Sequence, residues 1–328
     1  MKEALFYIKK GNNIQCRLCP KTCIIKEGEA GDCGVRKNIN NKLISLVYGR
    51  AAASNIDPIE KKPLYHFLPG SFSFSVGTVG CNLHCKNCQN WQISQAKAGK
   101  YDFELSPEKI VEEAVSNNCS SISYTYNEPT VFYEYMIETA KLAKKKKIRN
   151  NLITNGFINK EPLRKLMPYI DAANVDLKSF DDNFYRKVTS AWLEPVLESI
   201  KFMNKSIWLE LTNLIIPTLN DNPDKIKEMC EWVKNLNKNI PLHFTAFYPM
   251  YKINLLQTSE ENLIKAYDTA KEAGLNYVYI GNMQTNKNHT YCPRCNKLLI
   301  ERFGFSINQN NIRNGKCICG EKIPGIWK

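Results

Sequence analysis

The sequence lacks an apolar run long enough to cross a membrane, and near its start it lacks a signal-type hydrophobic segment. The one candidate, Ala4 to Ile8, is five residues with lysines on both sides, too short for an export signal. A cytoplasmic chain with no membrane partner is expected. Also missing is any run of basic residues interleaved with aromatics, the mark of a nucleic-acid groove. The formal charge of +13 therefore does not by itself name a nucleic-acid partner. Treating eleven of the cysteines as metal-bound thiolates lowers that charge to about +8. The remaining lysines are spread along the chain, and the run Lys144 to Lys147 reads as a solvated helix face.

What is abundant is cysteine. Thirteen are present in 328 residues, and in a reducing compartment metal or cluster ligation is the better default than disulfides. Eleven fall into three groups: Cys16, Cys19, Cys23 and Cys33; Cys81, Cys85 and Cys88; Cys292, Cys295, Cys317 and Cys319. Cys230 shares a helical face with Ile226, Met229 and Val233 and reads as a core residue, as does the lone Cys119. Three regions follow: residues 1–70, a cysteine-rich metal or cluster region; 71–285, the main domain; and 286–328, a zinc-ribbon-like extension.

Between the second and third groups, β-rich runs alternate with helical periods. Strands are expected at Phe72–Val79, Ser121–Tyr126, Asn151–Asn155, Ala173–Leu177, Ile207–Ile216, Leu242–Phe247 and Tyr277–Ile280. Ser106-Pro107 and Asn222-Pro223 read as helix starts. Strands joined by crossover helices run parallel, and this many units favours an α/β fold with a closed or partly closed βα barrel over a doubly wound sheet. Chemistry then gathers at the carboxyl ends of the strands.

The first barrel strand runs straight into Cys81-Asn82-Leu83-His84-Cys85-Lys86-Asn87-Cys88. Three thiolates in one short arc leave a [4Fe–4S] cluster with one iron free to bind a small molecule. A zinc site completed by His84 and a ferredoxin-type cluster with a distant fourth ligand are the alternatives. The C-x3-C-x2-C loop after the first strand resembles the signature of the radical S-adenosylmethionine (radical SAM) superfamily. The resemblance implies that the open iron chelates S-adenosylmethionine, which one electron splits into methionine and a 5′-deoxyadenosyl radical, and that a ferredoxin or flavodoxin supplies the electron. Asn87 stands where the superfamily commonly has an aromatic. By the same resemblance, Asn127 and Glu128 in Tyr124-Thr125-Tyr126-Asn127-Glu128-Pro129 contact the cofactor's amino group; the alternative for Glu128 is a charge at a helix N-terminus. Asp176 and Lys178 resemble a D-x-K cofactor contact of glycyl-radical-enzyme activases, with a rim ion pair as the alternative. His243 either faces this site or is a satisfied core group, and Tyr65 and His66 either cover the barrel mouth or pack.

The first cysteine group reads as a zinc site or an auxiliary [4Fe–4S] cluster. The last reads as a zinc ribbon whose second pair is C-x-C in place of C-x2-C. Together with Asp57 to Phe67, Gln89-Asn90-Trp91 and the ending Ile323-Pro324-Gly325-Ile326-Trp327, these groups make nearly the whole chain resemble the AmmeMemoRadiSam-system radical SAM enzyme. That resemblance implies AMMECR-type and MEMO-type partners and leaves the substrate unidentified. Two alternatives stand beside it: a glycyl radical enzyme activase, and a zinc-ribbon protein that binds or modifies nucleic acid.

Overall fold

The computed structural model describes residues 1–328. Its centre is an eight-stranded sheet: β1 Ala53–Pro58, β2 Phe72–Gly77, β3 Ser121–Tyr124, β4 Arg149–Thr154, β5 Ala172–Asp176, β6 Trp208–Ile215, β7 Leu242–Ala246 and β8 Val278–Gly281. Strands β2 to β8 are all parallel and follow one another in chain order. That is the βα barrel expected from the alternating pattern. It is open: β1 and β8 are the two ends of the row and do not pair.

The helices that return the chain between strands include α1 Pro107–Ser116, α2 Tyr133–Lys145, α3 Lys160–Leu166, α4 Leu193–Asn204, α5 Pro223–Asn237 and α6 Glu260–Glu272. Both expected caps are present: the Ser106 side chain accepts from Lys109 N, and Asn222 accepts from Asp224 N and Lys225 N, satisfying first-turn donors that the helix leaves unpaired. The lysines of 144–147 are exposed at the carboxyl end of α2, where the helix dipole favours cations. Cys119 and Cys230 are buried in the main core.

Strand β1 lies outside the sequence expectation. It pairs antiparallel with β2 from Ala53 opposite Gly77 to Pro58 opposite Phe72. Its Asn, Asp and Pro carry no strand propensity, and pairing with a neighbour decides its state. Before it, residues 2–45 build two small three-stranded sheets. After β8, Thr290–Tyr291, Leu298–Phe303 and Ser306–Asn310 form the antiparallel ribbon.

Along each barrel strand alternate residues point inward, and here the inward row is polar. Ser73 bonds Ser123 Oγ at 2.5 Å, Asn151 donates to Ser121 Oγ at 3.2 Å, and Thr212 donates to Asn174 Oδ1 at 2.8 Å. The outward row, with Val76, Ile122, Leu152, Val175 and Leu211, packs under the helices. No helix is long and apolar enough to cross a membrane.

Candidate active site

The cluster loop leaves β2 through Thr78, Val79 and Gly80, and Asn127 pins that exit. Its Nδ2 donates to Gly80 O at 2.7 Å and Thr78 Oγ1 at 3.1 Å, while its Oδ1 accepts from Thr78 N at 3.1 Å. Gly77, the last residue of β2, has no room for a side chain: a Cβ would stand 2.5 Å from Thr125 O. Within the loop, the Asn82 amide donates to Phe157 O at 2.8 Å and accepts from Asn155 at 2.9 Å. Cys88 Sγ lies 3.2 Å from Ser94 Oγ. Burial raises the Cys81 thiol, with the nearby Glu128 charge adding to it, and pushes the Cys85 thiol up to about 11. A metal's positive charge beside buried thiols of this kind turns them into thiolates.

Cys81, Cys85 and Cys88 open onto a cavity of about 930 Å³ inside the barrel. The same cavity is lined by Asn127, Glu128, Asp176, Lys178 and His243, so the candidate residues from four different strands meet at one place. Asp176 and Lys178 form an ion pair at 2.9 Å. Burial works against the Lys178 ammonium, but the Asp176 carboxylate more than reverses this and raises it. Glu128 is 1% exposed and caps the short helical turn at Pro129–Phe132. Its Oε1 accepts from Thr130 N (3.0 Å), Thr130 Oγ1 (2.6 Å) and Thr154 Oγ1 (2.7 Å), and its Oε2 accepts from Asn155 N (2.8 Å). The cap role stated as the alternative is thus present in full, while Oε2 with its single partner retains an acceptor position toward the cavity.

Tyr65 and His66 do not cover the mouth. They run beneath the cavity at the opposite end of the barrel, held by a residue the sequence reading missed. Glu210 on β6 is fully buried and accepts from Tyr65 N (2.9 Å), His66 N (2.8 Å), Trp208 Nε1 (2.9 Å) and His243 Nε2 (2.7 Å). A carboxylate taken out of water needs such a set of donors. Burial alone would raise it, and the His243 bond and charge lower it instead. The available signal was one charged residue inside an otherwise uncharged strand run. His243 therefore fills both of its alternatives, facing the cavity and satisfied by Glu210.

Across the open seam, Arg302 of the ribbon reaches in. It donates to Tyr65 O at 2.8 Å and Thr290 Oγ1 at 2.8 Å, and lies 3.9 Å from Glu60, just after β1. The four ribbon cysteines converge with all sulfurs within 4.8 Å of one another, so the C-x-C pair does close a group able to hold a metal ion. Cys16, Cys19, Cys23 and Cys33 line a separate small cavity beside the cluster loop.

A cluster-type cysteine loop at the carboxyl end of the first strand of an open parallel barrel defines the class. The sequence pattern of the radical SAM superfamily matches residues 75–233, so the chain carries a radical SAM domain there. The chain is 48% identical over 332 residues to the uncharacterized protein MJ0808 of Methanocaldococcus jannaschii, covering 98% of this chain and 99% of that one. It is 29% identical over 208 residues to the putative glycyl-radical enzyme activating enzyme MJ1632 of the same organism, covering 61% of this chain and 76% of that one. In fold it is similar to a radical SAM methyltransferase from Sphaerobacter thermophilus, with a TM-score of 0.53 at 13% identity over 66% of this chain and 68% of that one.

Proposed function

We propose that this radical SAM enzyme binds S-adenosylmethionine against a [4Fe–4S] cluster held by Cys81, Cys85 and Cys88 and acts on a small polar substrate enclosed by the barrel. When bound there, the cluster would supply the single electron for reductive cleavage of S-adenosylmethionine, the chemistry by which radical SAM enzymes take hydrogen from a substrate. The protein's part is placement. Asn127 sets the angle at which the loop leaves β2, and Glu128 Oε2 offers an acceptor for the cofactor's ammonium. The Asp176–Lys178 pair presents a carboxylate and an ammonium on the far wall to groups of opposite charge. The observation that carries this reading is the single cavity joining the three thiols to those residues. Its volume of about 930 Å³ falls in the range of small-molecule sites. The finer resemblance, to the AmmeMemoRadiSam-system enzyme, brings AMMECR-type and MEMO-type partners and a ferredoxin or flavodoxin donor. The ribbon cysteines are assigned zinc.

A second reading, activation of a glycyl radical enzyme, draws on the relatives that carry that name. It requires a partner's backbone to enter the barrel at the mouth, beside the cysteine loop. The test is anaerobic incubation of the dithionite-reduced protein with S-adenosylmethionine. Methionine and 5′-deoxyadenosine should appear with wild type and not with the Cys81→Ala, Cys85→Ala, Cys88→Ala triple variant. No cleavage by the iron-loaded wild type would overturn the proposal. A glycyl radical signal on a partner enzyme would establish the second reading in its place.

A further inference from the structure

The small cavity outside the barrel is lined by Cys16, Cys19, Cys23 and Cys33 together with Lys21, Arg36 and Asn82. Sulfur spacing distinguishes the cysteine groups. In the ribbon, Cys292 and Cys319 stand 3.6 Å apart, as do Cys295 and Cys317, close to the tetrahedron edge of about 3.8 Å implied by zinc–sulfur bonds of about 2.3 Å. The ribbon cysteines are the only metal-ligating group whose donor atoms all lie within 4.8 Å of one another. Thiolates on a cubane each bind a different iron and must stand farther apart than thiolates sharing one ion. The Cys81, Cys85 and Cys88 sulfurs do not all lie within 4.8 Å of one another, and neither do any three of the N-terminal four, although those four face one cavity.

Arg36 supplies an independent observation. It is 1% exposed, its Nη1 is paired with Glu134 at 3.0 Å, and its Nη2 donates to Leu5 O at 2.5 Å. Its Nε has no partner, and the side chain lines the cysteine cavity. A buried donor left unmade costs about 1–3 kcal/mol. Sulfur of a bound cluster would supply the missing acceptor.

The two cysteine sites are one residue layer apart. Asn82, next to Cys81, lines the outer cavity. His84, between Cys81 and Cys85 in the chain, bonds Asp32 at 2.9 Å, and Asp32 precedes Cys33. At Gly80 a Cβ would stand 2.6 Å from Cys33 O, so the backbones touch.

We propose that Cys16, Cys19, Cys23 and Cys33 hold a redox-active [4Fe–4S] cluster, not zinc, through which electrons reach the cluster at Cys81, Cys85 and Cys88. The destination rests on the radical SAM reading above. The step moves one electron and breaks no bond: the N-terminal cluster is oxidised, the barrel cluster is reduced, and a low-potential one-electron protein donor of the ferredoxin or flavodoxin class reduces the first again.

The experiment is iron and zinc content with electron paramagnetic resonance on anaerobically prepared, fully reconstituted protein. About eight irons and one zinc per chain are expected. The Cys81→Ala, Cys85→Ala, Cys88→Ala variant should keep about four irons and a reduced-cluster signal indifferent to S-adenosylmethionine. About four irons with two zincs in wild type, or no iron in that variant, would overturn the assignment. Eight irons in wild type with no spectral response to S-adenosylmethionine would instead support the N-terminal cluster and overturn the reading of the barrel site. For the electron path, a Cys19→Ala, Cys23→Ala variant that retains the barrel cluster's signal should cleave S-adenosylmethionine within about threefold of wild type with dithionite, yet at least tenfold more slowly with reduced flavodoxin. Equal rates with flavodoxin would sink the path.

Discussion

At the scale of single residues, the site depends on small and amide side chains as much as on its cysteines. Asn127 spends its whole amide on the exit of the cluster loop, and Asn82 and Asn155 brace the loop from the other side. Gly77 lets β2 pass against the turn at Thr125 and Tyr126, where any Cβ would meet a carbonyl oxygen at 2.5 Å. Backbone cannot yield there as a flexible side chain would, so overpacking of this kind should cost about 1–3 kcal/mol. Gly77→Ala is therefore expected to weaken S-adenosylmethionine binding roughly tenfold while iron content stays at the wild-type level. Titration of the reduced-cluster signal with S-adenosylmethionine measures this, and unchanged affinity would show that the turn does not shape the cofactor site.

At the scale of elements, the N-terminal sheets are fastened to barrel helix α2 by one buried ion pair. Arg36 and Glu134 are each about 2% exposed at the side chain and meet at 3.0 Å, and Glu134 also accepts from Leu5 N at 2.7 Å. Removing one partner leaves the other charge buried and unpaired, at a cost of about 3–5 kcal/mol. Glu134→Ala should therefore lower the denaturant midpoint strongly and free the first 45 residues to protease before the barrel unfolds. Simultaneous loss of both regions at an unchanged midpoint would argue that the pair contributes nothing to docking. On the sequence side, the Pro-led caps of α1 and α5 and the seven parallel strands were legible because their signals are local. Strand β1 was not, since its residues have no strand period of their own.

For the whole molecule, the segment between β1 and β2 and the last residues of the chain meet under the barrel. Leu68 N donates to Ile326 O at 2.7 Å and Ile326 N to His66 O at 2.8 Å. His66 bonds Pro324 O at 2.7 Å and Tyr279 Oη at 2.6 Å, with Trp327 packed 5.3 Å away. Two stretches that carried the family resemblance, 57–67 and 323–327, are therefore the two sides of one interface. Burial lowers the His66 imidazole to about 4, below its ordinary 6.5. Its folded form stays neutral where the unfolded form takes up a proton. Stability from this residue is thus complete above about pH 6.5 and falls as pH drops toward 4, with about 2 kcal/mol lost by pH 5. In metal-loaded protein, His66→Gln should unfold with a shallower dependence on pH between 7 and 5 than wild type. Identical slopes in urea titrations would show that His66 does not carry it.

What the sequence determined by itself was whatever is written in short range: cysteine spacing, strand and helix periods, and the residues just after each strand. Those were enough for the barrel and for putting the Cys81 to Cys88 loop, Asp176 and Lys178 at the carboxyl ends of its strands. Tertiary structure alone decided the rest, because burial and partners are properties of segments far apart in the chain. Glu128 became a helix cap as well as a cavity wall when Thr154 and Asn155 closed on it. Glu210 became the anchor of the barrel floor through donors some 145 residues away. Of the two alternatives for Tyr65 and His66, packing holds, at the floor, because β1 runs antiparallel to β2 and delivers the following residues to the amino ends of the strands. No local pattern encodes which end of a barrel a loop will reach; that follows from the direction of the strand before it.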